Sequence, residues 1–526
     1  MGGCCVSHRY RQKGAFALIS SPPTVLGAAL SILLVLAGSA GCMKKNERPP
    51  GHLAVALEVE PRTLDPRHYT DASSTKVGGL IFEGLVKNKG LVILPALAEK
   101  WEAASPTRYV FHLRQGLHFH DGRPLTSGDV KATFDYVMDP ANKSPRMSAY
   151  SGVESILVPD DRTVIFNLKS PSAPFMSDLT LGIVPAGAGG ELAEAPMGSG
   201  PFRYESRTTG EIRLAANERY HEGAPNIKKL LFRIIPDETV RVLELEQGGV
   251  DLIMNPITPD LLPRFEKNKK LQVITSQGTN YSYLGFNMGD RLTGDVKVRR
   301  AIAFAIDRTA VIHHIMKGLA READSMFTAD SPYHAPDLPS YTHDPAKAMA
   351  LLDEAGYKDP DGDGPGLRFT LQFSTSQNET RKRLAEIYQW QLSKVGVGLD
   401  IRSYEWGTFY GHILKGNFQV YSLTWVGIAD PDIMHYVFHS SMAPPGGANR
   451  GRYQNEEVDR LTEQGKVTFG QPRVEIYRKV QRILADEAPY ISLWHSVNVA
   501  VALTRLKDFS LAPDEALDSL KTARAE

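Results

Sequence analysis

Apolar and polar positions along the chain change period repeatedly, and each period marks an element. LAVALEV (53–59) alternates and predicts a strand. RYVFHLR (108–114), TVIFNLK (163–169) and LFRIIP (231–236) predict three more. His120-Asp121-Gly122 reads as a hairpin turn, and Thr126, Ser127 and Asp129 supply caps for a helix over VKATFDYVM (130–138). A spacing of three to four predicts further helices over 238–247, 296–308 and 345–356. In 296–308 it puts Val298, Ile302, Ala305 and Ile306 on one face. Asp344 and Pro345 start the helix at 345, and Gly356 ends it. Strand and helix signals interleave throughout, which predicts an α/β fold.

The first residues follow a different logic. His8, Arg9, Arg11 and Lys13 precede the apolar run Val25–Ala37, which leads to Gly38, Ser39, Ala40, Gly41 and Cys42. A charged segment, an apolar core and a small-residue exit predict a signal peptide over residues 1–41. The core spans about 13 residues, short of the roughly 20 that cross a bilayer. Ser20, Ser21, Pro22 and Pro23 interrupt any longer run. The ending Ser39-Ala40-Gly41-Cys42 resembles a bacterial lipobox, with Ser39 where leucine is usual. That resemblance implies a diacylglyceryl group on Cys42, and two acyl chains suffice for stable membrane anchoring. Residues 42–51 then hold the lipidated cysteine and a polar, proline-containing tether.

Composition narrows the chemistry. Lysine plus arginine and aspartate plus glutamate both total 60, so no net field favours nucleic acid. Cys4, Cys5 and Cys42 are the three cysteines, which excludes a disulfide framework and a cysteine metal site from the body. No GxSxG, HExxH or P-loop motif is present, and no body cysteine can act as nucleophile, so an enzyme is not expected. His112, His118, His120 and Asp121 suggest a metal cluster but fall on the predicted hairpin. Asp359, Asp361, Asp363 and Gly364 resemble the opening of a calcium loop, yet Leu367 and Thr370 occupy its ninth and twelfth positions. Neither a metal nor another cofactor is therefore expected.

An ordered set of short motifs runs from residue 61 to 494. It includes PRTLDP (61–66), YVFHLRQGLHFHDGRPLTSGDV (109–130), MGSGPFRY (197–204), NERYHEGAPNIKKLLFRIIPDET (217–239), LGFNM (284–288), VRRAIAFAIDR (298–308), LTWVGIADPD (423–432) and APYISLW (488–494). In order and spacing these resemble the family 5 extracytoplasmic solute-binding proteins of peptide-type ABC importers. The resemblance implies a two-lobe periplasmic-binding-protein fold with a ligand cleft between the lobes and an extra subdomain in the first. The implied first lobe is 52–75 plus 185–285 plus 495–526, the subdomain 76–184 and the second lobe 286–494. The implied function is capture of oligopeptides or dipeptides by lobe closure, with delivery to a permease and ATPase. A nickel chelate, opine, sugar or haem is the alternative solute, and a secreted hydrolase the remote alternative. A monomer in the periplasm or another extracytoplasmic space, tethered to the membrane by its lipid, is expected.

The resemblance also implies a ligand site. Relatives that bind peptides carry an aspartate three residues after the tryptophan of Trp425-Val426-Gly427-Ile428, where this chain has Ile428. Either Asp430 or Asp432 reaches a ligand amine, or the ligand has no free amine there. The competing reading is that Asp430-Pro431-Asp432 only turns the chain and caps a helix. Trp425 and Gly427 are expected at the ligand. Strand alternation puts Tyr281 and Tyr283 on one face, which is expected to line the cleft. Tyr404 and Trp406, at a second-lobe strand-to-helix entry, and Gly198-Ser199-Gly200, which permits close backbone approach, complete the candidate set.

Overall fold

The computed structural model describes residues 51–526 apart from 90, 255, 256, 363 and 429. The signal peptide, Cys42, the tether as far as residue 50, and Asp363 of the aspartate-rich turn lie outside the described residues. Among the described residues no helix is long and apolar enough to cross a membrane.

The predicted strands form at His52–Leu57, Arg108–Leu113, Thr163–Leu168 and Lys229–Ile234. Helix Ser127–Met138 starts with the Asp129 carboxylate accepting from the Thr126 amide at 2.8 Å. Helix Pro345–Glu354 is capped by Asp344, which accepts from the Lys347 amide. The helix predicted over 296–308 is instead two. Val296–Ala305 stops at Ile306, and the Asp307 side chain caps a new helix, Arg308–His314, by accepting from the Ala310 amide at 2.8 Å. An aspartate that can serve as an N-cap ends one helix and begins the next, which apolar spacing alone does not register.

One sheet of eleven strands runs through the molecule. At one end His52–Leu57 lies parallel to Lys229–Ile234 and Leu252–Met254, with Glu211–Ala216 and Phe202–Thr208 beyond. At the other end Phe369–Ser376 lies parallel to Val397–Tyr404 and Val420–Trp425. Two long antiparallel strands, Leu271–Phe286 and Tyr490–Leu503, join the ends. Their register shifts between Gln277 and Tyr281, so Gly278, Thr279 and Asn280 form a bulge opposite Ser496.

The apolar cores follow the sheet. Val55, Phe202, Phe232, Leu252 and Leu520 pack in one, and Leu284, Val298, Leu371 and Leu493 in another. A separate four-stranded sheet of 98–105, 108–113, 153–160 and 163–168 has its own core, where Phe134 meets Phe166 edge-on at 5.1 Å. Helix Ala72–Ile81 straddles the expected boundary at 75/76. It buries Val77, Leu80 and Ile81 in the core of the His52–Leu57 strand.

Candidate ligand-binding cleft

Three cavities meet along the bulge of the crossing strands. The largest, about 660 Å³, is lined by Glu58, Asp71 and Lys76 on one side and by Met316, Arg383 and Val426 on the other, with Asn280 and Ser496 between. A second, about 280 Å³, lies among Glu83, Lys87, Lys521, Thr279, Gly427 and Ile428. The third, about 260 Å³, is bounded by Val92, Arg321, Phe327, Asp330, Thr279 and Ile428. The hairpin of Val86–Lys89 and Val92–Pro95 contributes to the two smaller cavities.

The segment after Trp425 stands where the cavities meet. Gly427 has φ of 70°, a left-handed conformation that favours glycine and turns the loop into the cleft. Val426 is 65% exposed, whereas Ile428 is 8% exposed and packs into the second-lobe core. The Ile428 side chain itself offers an ammonium no partner; the carboxylates of the two cavities it lines are Glu83, Asp514 and Asp518 in one and Asp330 in the other.

The two aspartates downstream are engaged in structure. Arg473 donates to both Asp430 oxygens, at 2.6 and 3.0 Å, and Ser177 Oγ donates to Asp430 at 3.2 Å. The Asp432 amide also donates to Asp430, at 2.8 Å, as in a local Asx turn. Tyr477 donates its hydroxyl to Asp432 at 3.1 Å, and burial pushes the Asp432 carboxyl up to about 6. Neither aspartate lines any of the three cavities. Ser177 follows Phe175 and Met176, which pack in the core of the four-stranded sheet, so its bond to Asp430 ties that core to the segment after Trp425. The Ala173 amide makes a second tie by donating to the Lys466 carbonyl at 2.7 Å. Burial also pushes Asp178, near Asp430 and Asp432, up to about 7.

The expectation that Tyr281 and Tyr283 line the cleft is corrected. They are 2% and 0% exposed and face the second-lobe core. Tyr281 shares a hydrogen bond with Ser492 Oγ at 2.7 Å, and Tyr283 stacks on Tyr490 with ring centres 4.0 Å apart. Alternation identifies a face, but their strand is internal to the sheet and both faces are covered. Gly198 and Gly200 serve a packing role. A Cβ on Gly198 would sit 2.0 Å from the Ile81 carbonyl oxygen, and one on Gly200 2.6 Å from that of Leu80. The Gly198 carbonyl accepts from the His120 amide, Gly200 N–H donates to Ile81, and Ser199 is buried between them. His120, one of the four residues that suggest a metal cluster in the sequence, is thus held against this turn. Its Nε2 lies 3.0 Å from the Gly200 carbonyl, and burial pushes its imidazole down to about 4.

Tyr404 sets its ring edge against His412. Trp406, 51% exposed, stacks near-parallel on Tyr410 with centres 5.9 Å apart. Arg450 lies behind them. It donates to the hydroxyls of Tyr283 (3.0 Å) and Tyr410 (3.3 Å), with its guanidinium carbon 4.7 Å from the Trp425 ring centre. Arg381 approaches from the other side, 5.4 Å from the Trp406 ring centre. Neither arginine nor the Arg473 latch is legible in the sequence, because each acts on partners dozens of residues away.

Two lobes sharing a through-sheet, with cavities lined from both sides of the crossing strands, define a periplasmic-binding-protein architecture. The chain belongs to the bacterial extracellular solute-binding proteins, family 5, whose middle-region model matches residues 92–443. This is a family of solute-binding proteins rather than an enzyme class. The chain is 29% identical over 500 residues to the dipeptide-binding protein of Escherichia coli strain K12, covering 88% of this chain and 92% of that one. Its fold matches the oligopeptide-binding protein AppA from Bacillus subtilis in complex with a nonapeptide. That match has a TM-score of 0.74 and 26% identity, over 90% of this chain and 99% of that one. It also matches AgaA in complex with agropinic acid, from A. tumefacien R10, with a TM-score of 0.71 and 26% identity, over 90% and 99%.

Proposed function

We propose that the protein is the extracytoplasmic substrate-binding component of an ABC importer, capturing dipeptides or oligopeptides and presenting them to a permease driven by ATPase subunits. The observation that carries this reading is a cleft lined from both sides of the crossing strands, so that a bound solute favours the closed arrangement. An extended ligand would lie along the compartments divided by Val426, Gly427 and Ile428, held through main-chain hydrogen bonds while its side chains take separate cavities. The similarity to peptide-binding relatives supports the same solute class.

In this reading the first lobe is 52–75 plus 185–285 plus 495–526, the subdomain 76–184 and the second lobe 286–494. The protein acts as a monomer in the periplasm or another extracytoplasmic space, held to the membrane by lipid on Cys42 after removal of residues 1–41. Trp425, Gly427 and Ile428 contact the ligand, and Trp406 with Tyr404 shapes its second-lobe wall.

A second reading is favoured by one observation: the amine-binding position is Ile428, and Asp430 and Asp432 already have partners. It holds that the same cleft takes a non-peptide solute, such as an opine, nickel chelate, sugar or haem. Mass spectrometry of ligand that co-purifies, followed by a thermal-shift panel, separates the two. A ligand present at 100 times its Kd stabilises the protein by about 2.7 kcal/mol. Melting shifts with peptides support the first reading. Shifts confined to another solute class refute it.

A further inference from the structure

The four-stranded sheet and its core are fastened to one end of the molecule and rest against the other. Ser144 Oγ donates to the Arg67 carbonyl at 2.7 Å, and the His120 amide to the Gly198 carbonyl at 2.9 Å, so this core is held to the side of the strand His52–Leu57. On its opposite flank Ser177 Oγ reaches Asp430, and the Ala173 amide reaches the Lys466 carbonyl. Leu91, at the tip of the neighbouring hairpin, packs on the core that holds Tyr281 and Leu423. A hinge motion that parts the two ends of the through-sheet must break this flank contact.

The contact gathers three carboxylates. Asp178 is partly buried beside Asp430 and Asp432, and both of those favour its neutral form. Arg473 donates to both oxygens of Asp430, and the Tyr477 hydroxyl donates to Asp432. The hydrogen bond at Asp178 goes to its main-chain carbonyl, from the Tyr150 hydroxyl at 2.7 Å. Among the described residues nothing donates to the Asp178 carboxylate or forms an ion pair with it. Arg146 acts on Asp178, and Lys466 on Asp432, only at longer range. The tyrosines and the histidine here keep one charge between about pH 5 and 8. Burial pushes the Tyr109 and Tyr150 phenols up to about 12, raises Tyr477 as well, and pushes the His435 imidazole down to about 4. Asp178 and Asp432, pushed up to about 7 and about 6, titrate inside that range. Asp432 has Tyr477, Lys466 and Arg473 on its own side and keeps them when the flanks part. Asp178 then loses both aspartates and gains water.

We propose that Asp178 is a proton-controlled latch on cleft closure: its neutral acid lets the four-stranded core rest on the Asp430-Pro431-Asp432 turn, and its carboxylate drives the two apart. Closure over solute therefore takes a proton from solvent onto the Asp178 carboxylate, and opening returns it. This deepens the solute-capture reading and rests on it for the closing motion, though not for the identity of the solute. A carboxyl that titrates near 7 when closed and near 4 when open favours closure fully below about pH 4 and loses that preference as pH rises through about 7. Solute is thus held more tightly on the acid side.

The test uses the full mature chain, as wild type and as Asp178→Asn, which fixes the neutral form at nearly constant shape. Hydrogen exchange of the solute-free proteins, corrected for the intrinsic rate, compares the Ala173 amide, which bonds across the contact, with the paired amides of 163–168. Ala173 is expected to exchange faster than 163–168 throughout. From about pH 5.5 to about pH 8 its protection is expected to fall about ten-fold in wild type and less than about two-fold in Asp178→Asn. Isothermal titration with trialanine is expected to show Kd rising about ten-fold over the same range in wild type and less than about two-fold in the variant. Ala173 protection that ignores pH, that falls equally in the variant, or that follows 163–168 in step would overturn the proposal. So would trialanine binding that is independent of pH. If trialanine does not bind but Ala173 responds as expected, the peptide reading fails and the latch stands. If trialanine binds while Ala173 stays indifferent to pH, the peptide reading stands and the latch falls.

Discussion

Asp430 offers a sharp test of whether the segment after Trp425 is built for ligand or for architecture. Replacing it with asparagine keeps its shape and removes its charge. Arg473, whose side chain is 6% exposed, then faces a neutral amide with a single acceptor oxygen, so it loses its counter-charge and one of the two short hydrogen bonds and keeps the one it donates to the Gly465 carbonyl. Breaking one side of a buried ion pair typically costs 3–5 kcal/mol. Asp430 retains 16% exposure, which partly screens the pair, so Asp430→Asn is expected to cost about 3 kcal/mol, at the low end of that range. Urea unfolding followed by fluorescence measures it, with Arg473→Met and the double mutant completing a cycle. The double mutant should cost less than the sum of the singles, with a coupling of about 1.5 kcal/mol or more, because the second substitution removes the stranded charge. Affinity for the cleft solute should change by less than about three-fold, which is under 0.7 kcal/mol. A stability change below about 0.5 kcal/mol together with a large loss of binding would refute the reasoning and make Asp430 a ligand contact.

Three further outcomes follow from the same geometry. Gly198→Ala places a Cβ 2.0 Å from the Ile81 carbonyl oxygen and should destabilise by about 1–3 kcal/mol in thermal unfolding, while solute affinity is retained in the folded fraction. Burial raises Asp178 to about 7 and Asp432 to about 6, so the native state holds protons that the unfolded chain releases. Their favourable contribution is complete below the unfolded carboxylate value near 4 and is lost as pH rises through about 7; stability measured from pH 5 to 8 should fall, and Asp178→Asn should flatten that fall. Hydrogen exchange should be faster at the Gly278 and Asn280 amides than at the paired amides of 272–277, because the ladder is interrupted there; equal protection would contradict the bulge.

The fold was legible wherever a period was long and a cap stood at its end. Helix Glu238–Gln247 occupies the predicted span, with Asp237 accepting from the Val240 amide and Gly248 left-handed at φ 78°. Val298 and Ile302 are buried as their spacing implies, but Asp307 breaks the helix they begin. Tyr281 and Tyr283 show the limit of alternation. A period of two says which residues share a face, but not which face a neighbouring strand or helix covers. The turn at 198–200 reads as permissive backbone in the sequence. Its actual work, accepting His120 and abutting Ile81, depends on segments about 80 and 120 residues away. The arginines at 381, 450 and 473 carry no local signature at all, because their meaning lies in what surrounds them across the fold.

The bulge at 278–280 has a mechanical consequence. The two joining strands form a ribbon whose ladder is continuous on either side and interrupted over three residues, of which Thr279 and Asn280 also line the cleft. A small twist there displaces each part of a lobe in proportion to its distance from the pivot. The floor barely moves while the outer rims travel far. In the proposed function a solute seated at the floor would gain its contacts with both lobes through a short movement of the walls, whereas a permease touching the rims would receive the same event magnified. In the proposed function the interrupted ladder would thus act as the fulcrum of a lever, converting occupancy of a few hundred cubic ångströms into a change of outline that a much larger partner reads.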